Sequence, residues 1–256
     1  MAAQTFRQRL LAHETLIGPL VATASSEIVE LLASLEFDWL FLDAEHGAYG
    51  PEKIPALLQA AGNCPCLVRI PGPDEAWIKK VLDAGAAGII VPQISTLEQA
   101  KSVINYSKYP PMGKRGVGLG RAHGYGKDFS SYLQHANDQT VIVLQAETRA
   151  VLECIEDIAT LTGVDCILIG PYDLSASLGR MGETTHPDVQ NAIQKIRQAC
   201  VNHDTQLGIF GVCADHVAPY KKLDFTLLTV GVDTLFVLNS ATAELEALRK
   251  AQVDTE

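Results

Sequence analysis

A closed (β/α)8 barrel, the TIM-barrel class of α/β fold, is what this sequence predicts, and three observations carry that expectation. Eight short apolar or β-branched runs alternate with eight stretches of helical spacing, the pattern of repeated βα units around a parallel sheet. The 256 residues are long for one ordinary domain and short for two, which suits a single barrel. No Pro/Gly/Ser linker divides the chain, so residues 1–256 are read as one domain.

In chain order, the first strand is the apolar run Ile17–Ala22 and the second is Trp39–Leu42, with helical spacing over Ser26–Leu35 between them. A helix at Pro51–Ala61 leads to the third strand, Leu67–Arg69, which ends at Ile70-Pro71 because proline has no N–H to give a ladder. Asp74–Ala84 reads as the next helix, and Gly88–Val91 as a fourth strand stopped by Pro92. The helix Thr96–Ser107 follows. Tyr109–Lys127 breaks the rhythm, holding two prolines and six glycines with neither period. A long structureless segment inside a compact barrel is usually functional or packs on a partner chain. The pattern then resumes with strand Val141–Gln145, helix Thr148–Thr160 and strand Cys166–Ile169, closed by Gly170-Pro171. Helix His186–His203, strand Gln206–Phe210, helix Ala214–Leu223, strand Thr226–Val230 and helix Asn239–Ala251 complete the set.

Twenty basic against 30 acidic side chains give a formal charge of −10, which disfavours an electrostatic grip on nucleic acid or an anionic membrane. Small molecules or other protein chains are the expected partners. The hydrophobic fraction of 47% suffices for a sizeable core. No apolar run approaches the roughly 20 residues that cross a bilayer, and Met1–Leu20 has no apolar stretch followed by a small-residue cleavage site. A cytoplasmic protein is expected. Cys154, Cys166, Cys200 and Cys213, four of the six cysteines, sit in apolar runs and are read as reduced thiols.

In a barrel of this class the reacting groups stand where strands end. Four strand ends here are rich in ionisable residues: Asp43-Ala44-Glu45-His46, Arg69, Gln145-Ala146-Glu147-Thr148-Arg149 and Gly170-Pro171-Tyr172-Asp173. Glu147 and Asp173 follow consecutive strands, which lie roughly 4.8 Å apart, so their carboxylates can share one cation. Two carboxylates without a His or Cys neighbour make an oxygen-only site suited to Mg²⁺ or Mn²⁺. The alternatives are pairing with Arg149 and, for Asp173, a helix cap ahead of Leu174-Ser175-Ala176. Arg69 ends an otherwise apolar strand and needs an anion, either a ligand or one of the strand-end acids Asp43 and Glu45. His46 lies three residues beyond Asp43, whose carboxylate can orient the imidazole for acid/base work. The remaining histidines, including His123, His135 and His186, are read as structural. No lysine lies within a strand run, which disfavours imine chemistry, and Gly116-Val117-Gly118-Leu119-Gly120 does not follow a strand as a dinucleotide site requires.

Four strings in this order, Phe37-Asp38-Trp39-Leu40-Phe41-Leu42-Asp43-Ala44-Glu45-His46-Gly47, Tyr109-Pro110-Pro111-Met112-Gly113-Lys114-Arg115-Gly116-Val117-Gly118, Gln145-Ala146-Glu147-Thr148-Arg149 and Gly170-Pro171-Tyr172-Asp173-Leu174-Ser175-Ala176-Ser177-Leu178-Gly179, resemble the HpcH/HpaI family of metal-dependent pyruvate aldolases. The resemblance runs over nearly the whole chain. It implies a (β/α)8 barrel that cleaves 4-hydroxy-2-oxo acids, of the 2-keto-3-deoxy sugar acid kind among others, into pyruvate or a close 2-oxo acid and an aldehyde. By position it implies that Glu147 and Asp173 hold the divalent ion, Mg²⁺ or Mn²⁺ with Co²⁺ and Zn²⁺ as further choices. Arg69 would steady the enolate, Gln145 would stand beside the metal, and His46 with Asp43 would manage the proton. The backbone after Gly170, at Pro171, Tyr172 and Asp173, would receive the pyruvate carboxylate. It further implies a homo-hexamer, a trimer of dimers, with the C-terminal helix exchanged between barrels, and Asp83, Arg121 and His123 near a neighbour's site. The strand-one end at Thr23 lacks the tryptophan often found in sugar-acid aldolases, and strand seven ends Phe210-Gly211-Val212-Cys213, so the aldehyde is left open. Two alternatives stand beside this reading: an acyl-CoA lyase of the citrate or malate type, and a non-catalytic barrel that binds oxo acids.

Overall fold

The computed structural model describes residues 4–253. Eight parallel strands, β1 (Leu16–Val21), β2 (Leu40–Asp43), β3 (Cys66–Arg69), β4 (Gly88–Val91), β5 (Val141–Ala146), β6 (Cys166–Ile169), β7 (Gln206–Gly211) and β8 (Phe225–Val232), close into one barrel in sequence order. The ring is completed by β8 on β1, with Leu16 opposite Leu227 and Ile17 opposite Leu228. The helices are α1 (Phe6–Leu11), α2 (Ser26–Ala33), α3 (Ile54–Ala60), α4 (Glu75–Asp83), α5 (Leu97–Ser107), α6 (Phe129–Gln139), α7 (Val151–Ala159), α8 (Pro171–Ser177), α9 (Pro187–Asn202), α10 (Ala214–Lys221) and α11 (Asp233–Val253). All eight expected strands are present, their ends shifted by one or two residues where the ladder continues into Asp43, Ala146 or Val232.

Strand periodicity sorts the core into two layers. Leu40, Leu42, Val68, Ile89, Val91, Ile142, Leu144, Ile167 and Ile169 point outward and pack under the helices. Their alternates, Phe41, Leu67, Ile90, Val141, Val143, Cys166 and Leu168, fill the barrel interior with Trp39 and Leu16. The same alternation carries Asp43, Arg69 and Gln145 inward as the next residues after Phe41, Leu67 and Val143. An apolar column thus ends in a polar layer at the strands' C-terminal mouth.

Three elements depart from expectation. α1 is six residues long, too short to show a period, yet Thr5 and Gln8 form a capping box and Phe6 and Leu10 plug the N-terminal end of the barrel against Trp39. The segment expected to be structureless holds a 3₁₀ turn at Arg121–Gly126, and α6 begins at Phe129. The last helix starts at Asp233, six residues before the expected Asn239, because β8 runs directly into it. Beyond its first turn α11 is exposed as far as Ala251, with Val237 at 59%, Leu245 at 49% and Leu248 at 63%. Among the described residues no helix is long and apolar enough to cross a membrane.

Candidate active site

Neighbouring strands β2 and β3 place Asp43 opposite Arg69. The Arg69 fork closes on that carboxylate, Nε to Oδ1 at 2.9 Å and Nη2 to Oδ2 at 2.7 Å. Its Nε also lies 3.2 Å from Glu45 Oε2, and the guanidinium stacks 5.1 Å from the centre of the Phe41 ring. Of the two partners left open for Arg69, the structure supplies the strand-end acids, and both of them. Burial works against the cation, but Asp43 and Glu45 outweigh it and leave the guanidinium pKa raised.

His46 is placed differently from expectation. Asp43 Oδ1 accepts the backbone N–H of His46 at 3.3 Å and that of Glu45 at 3.1 Å, so Asp43 holds the turn rather than the imidazole. The ring is exposed, with Nε2 at 3.8 Å from Glu45 Oε2. The physical reason is competition: the buried guanidinium takes both oxygens of Asp43, and a turn this tight offers N–H groups, not a side chain, to the remaining lone pair.

Glu147 follows β5 and is buried at 5% exposure. Its Oε1 accepts the backbone N–H of Gln93 at 2.7 Å, and its Oε2 accepts from Gln145 Nε2. Burial pushes its pKa up, the two donors pull against that, and Asp173 and Glu45 push further. Glu45 is raised too, by burial first, with Arg69 opposing. Asp173 is the third residue of α8, whose N-cap is Gly170, and its side chain makes no hydrogen bond or ion pair among the described residues. The Arg149 guanidinium turns away to Leu178 O, while its backbone N–H donates to Ser177 Oγ. Neither the cap nor the Arg149 pairing therefore occupies the two acids.

Arg69, Gln145, Asp173 and His46 border a cavity of about 170 Å³, whose walls also include Leu20 and Phe210. Pro171 and Tyr172 form its rim. Two larger hollows, about 410 and 450 Å³, lie at the barrel's opposite end and between α2 and α11, and hold none of the converging groups. Among the described residues no three His, Cys, Asp or Glu side chains cluster as metal ligands. The donor set nonetheless fits a hard cation. Gln145 Oε1 is buried without a partner, and a Cβ at Gly170 would stand 3.1 Å from Glu147 Oε2 and 3.2 Å from Gln145 Nε2, so the glycine leaves that space open.

Asp83, Arg121 and His123 lie outside this constellation. Asp83 ends α4, at the N-terminal side of the barrel, where Arg115 Nη2 reaches it at 2.6 Å. Arg121 binds Ala84 O at 2.9 Å, and buried His123 accepts from Gly126 N at 3.0 Å with Nε2 2.7 Å from Gly118 O. Within one chain these contacts fold the 109–127 loop rather than build the mouth. Glu45, named from sequence as an anion for Arg69, stands beside it as expected. Gln93 was missed from sequence, because it enters through a backbone N–H that no motif marks.

The fold and site define the class: a TIM barrel whose strand-end acids Asp43 and Glu45 close on one buried guanidinium at the C-terminal mouth. The family model for HpcH/HpaI aldolase/citrate lyase matches residues 17–240, and the chain belongs to that family. It is 36% identical to the 4-hydroxy-2-oxovalerate aldolase of Rhodococcus jostii over 97% of this chain and 96% of that protein. It is 35% identical to a 4-hydroxy-2-oxo-heptane-1,7-dioate aldolase of Escherichia coli, covering 93% and 92%. The crystal structure of an HpcH/HpaI aldolase/citrate lyase family protein from Burkholderia cenocepacia superposes with a TM-score of 0.91 at 32% identity, covering 95% and 98%.

Proposed function

We propose that this protein is a divalent-cation-dependent aldolase that reversibly cleaves a 4-hydroxy-2-oxo acid into pyruvate, or a close 2-oxo acid, and an aldehyde. The observation that carries it is one small cavity bordered by Asp173, Gln145 and the buried guanidinium of Arg69, with Glu147 held behind it by Gln145 and close enough to Asp173 for that charge to raise its pKa. The relatives named as 4-hydroxy-2-oxo acid aldolases support the reaction class.

Glu147 and Asp173 would hold the ion, with Mg²⁺ or Mn²⁺ favoured by the oxygen donors and Co²⁺ or Zn²⁺ as substitutes. When bound, it would supply Lewis-acid polarisation of the 2-oxo group. Arg69 stands where negative charge develops on the enolate oxygen and stabilises it from a fixed position, so no reorganisation is needed during bond cleavage. Asp43 acts through Arg69 and through the His46 backbone, setting the guanidinium plane and the turn. His46, exposed at the cavity edge, takes the C4 hydroxyl proton in cleavage and returns one to the aldehyde oxygen in the reverse direction. Gln145 orders Glu147, and the first turn of α8, Pro171 to Asp173, faces the substrate carboxylate. The chain is further proposed to assemble as a hexamer, a trimer of dimers, in which the apolar residues of α11 pack on a neighbouring barrel and the 109–127 loop approaches a neighbour's mouth.

The test is pyruvate release from a racemic 4-hydroxy-2-oxo acid by enzyme stripped with EDTA and resupplied with each ion in turn. Loss and recovery of activity is expected. Activity that survives removal of all bound metal, confirmed by elemental analysis, overturns the cation's role.

A further inference from the structure

One residue at the mouth is held in a conformation its type avoids and has no part in the reaction as proposed. Gln93 has φ +56°, the left-handed region in which Cβ crowds the carbonyl of any residue but glycine. Buried Pro92 and Ile94 pin the chain on both sides of it. The turn aims two donors at two different acids. The backbone N–H reaches Glu147 Oε1 at 2.7 Å, and the side-chain Nε2 reaches Glu45 Oε1 at 3.4 Å. The other Glu45 oxygen is the one beside Arg69.

β4 brings no ionisable residue to the mouth, yet it stands between β3, which carries Arg69, and β5, which leads to Glu147. Gln93 ties these two flanks together. Ser95 Oγ, 3.1 Å from Thr148 Oγ1, adds a second tie between the loops after β4 and β5. A neutral amide is the side chain the position calls for: a carboxylate would repel both acids, and a lysine would pair with them and compete with a bound cation.

We propose that Gln93 is a positioning residue, fixing the Glu45–Arg69 pair relative to Glu147 and so the separation of the guanidinium from the cation-holding carboxylates. Its kinetic readout rests on the aldolase reading; its binding readout does not. Gln93→Met keeps the length and removes the side-chain donor, while Gln93→Gly keeps the backbone donor and suits the left-handed turn. Both are compared with Glu45→Met and with the double variant Gln93→Met/Glu45→Met. The quantities are kcat, KM, Mn²⁺ affinity, melting temperature, and calorimetric affinity in Mn²⁺ for oxalate, a planar mimic of the pyruvate enolate.

Gln93→Met should lower kcat and oxalate affinity about tenfold each, the scale of one hydrogen bond to a charged group, with KM and Mn²⁺ affinity within about twofold. The loss should vanish in the Glu45→Met background, which has no acceptor for the amide, because the amide acts through Glu45. Gln93→Gly should lose the same factor without melting earlier than the wild type. Unchanged kcat and oxalate affinity in Gln93→Met, an equal loss in the Glu45→Met background, or a Gln93→Gly enzyme that melts early each overturns the proposal. A wild type that binds Mn²⁺ and oxalate but turns over no hydroxy-oxo acid sinks the aldolase reading alone, and the oxalate cycle still decides Gln93.

Discussion

Replacing Arg69 tests architecture and chemistry in one position, provided stability and turnover are measured together. Arg69→Lys keeps the charge and removes the fork. The guanidinium is 10% exposed and gives Asp43 two bonds at 2.9 and 2.7 Å, of which an ammonium can replace one. Losing one charge-assisted bond costs about 1.5–3 kcal/mol, which for a chain of this size lowers the melting temperature by roughly 3–12 °C. Arg69→Ala leaves Asp43 and Glu45 buried with no cation and should cost about 3–5 kcal/mol. The catalytic loss is separate: removal of one preorganised donor to a developing oxyanion costs about 2–4 kcal/mol, or roughly 30- to 1,000-fold in kcat/KM. Pyruvate release coupled to NADH oxidation, run well below every variant's melting point, reads the second quantity free of the first. Wild-type kcat/KM in Arg69→Ala, or a loss that disappears once the unfolded fraction is subtracted, would falsify the oxyanion role.

Glu147→Ala and Asp173→Ala should each abolish Mn²⁺ binding and cleavage together, with melting barely altered in Asp173→Ala because that side chain makes no hydrogen bond; unchanged Mn²⁺ affinity by titration refutes the ligand assignment. Lys108 is fully buried, donates to Asn137 O and Thr140 O at 2.7 and 2.8 Å, and burial lowers its pKa from 10.5 to about 8. Between those values the unfolded chain holds the extra proton, so wild-type stability should rise with pH relative to Lys108→Met, by about 3 kcal/mol across the window. A flat difference between the two melting curves refutes it. On the proposed hexameric reading, Leu245→Asp with Leu248→Asp should lower the sedimentation coefficient to that of a smaller species while the barrel still melts cooperatively, and an unchanged coefficient rejects α11 as the interface.

Strand count, closure and the inward layer Asp43, Arg69 and Gln145 were legible because period-two burial leaves a direct trace in sequence. Each polar residue sits two positions beyond an apolar one that faces the interior. What stayed hidden was set by partners. The sequence puts Asp43 three residues before His46, but only packing reveals that Arg69 claims the carboxylate and leaves the imidazole exposed. Gln93 was invisible for a different reason: its contribution to Glu147 is a backbone N–H, available to every residue but proline, and the positive φ that aims it follows from its neighbours. α1 escaped because six residues carry less than two helical turns.

The charge count at the mouth orders the proposed binding steps. Asp43 and Glu45 share a single guanidinium, whereas Glu147 and Asp173 make no ion pair among the described residues, and burial first, with the neighbouring carboxylates adding to it, raises the pKa values of Glu45 and Glu147. A 2-oxo acid would bring one more negative charge. Arg69 already has two anionic partners, so it is not free to hold a carboxylate as a simple ion pair; it can only add field where oxygen charge grows. On the proposed reading, the charge of the incoming acid is met at Glu147 and Asp173, by the cation they hold. Pyruvate affinity, and not turnover alone, should therefore disappear on treatment with EDTA. Calorimetry on the stripped enzyme decides this: pyruvate bound at undiminished affinity without a divalent ion would mean that Arg69 releases Asp43 or Glu45 to take it, and the order argued from the charge count would be wrong.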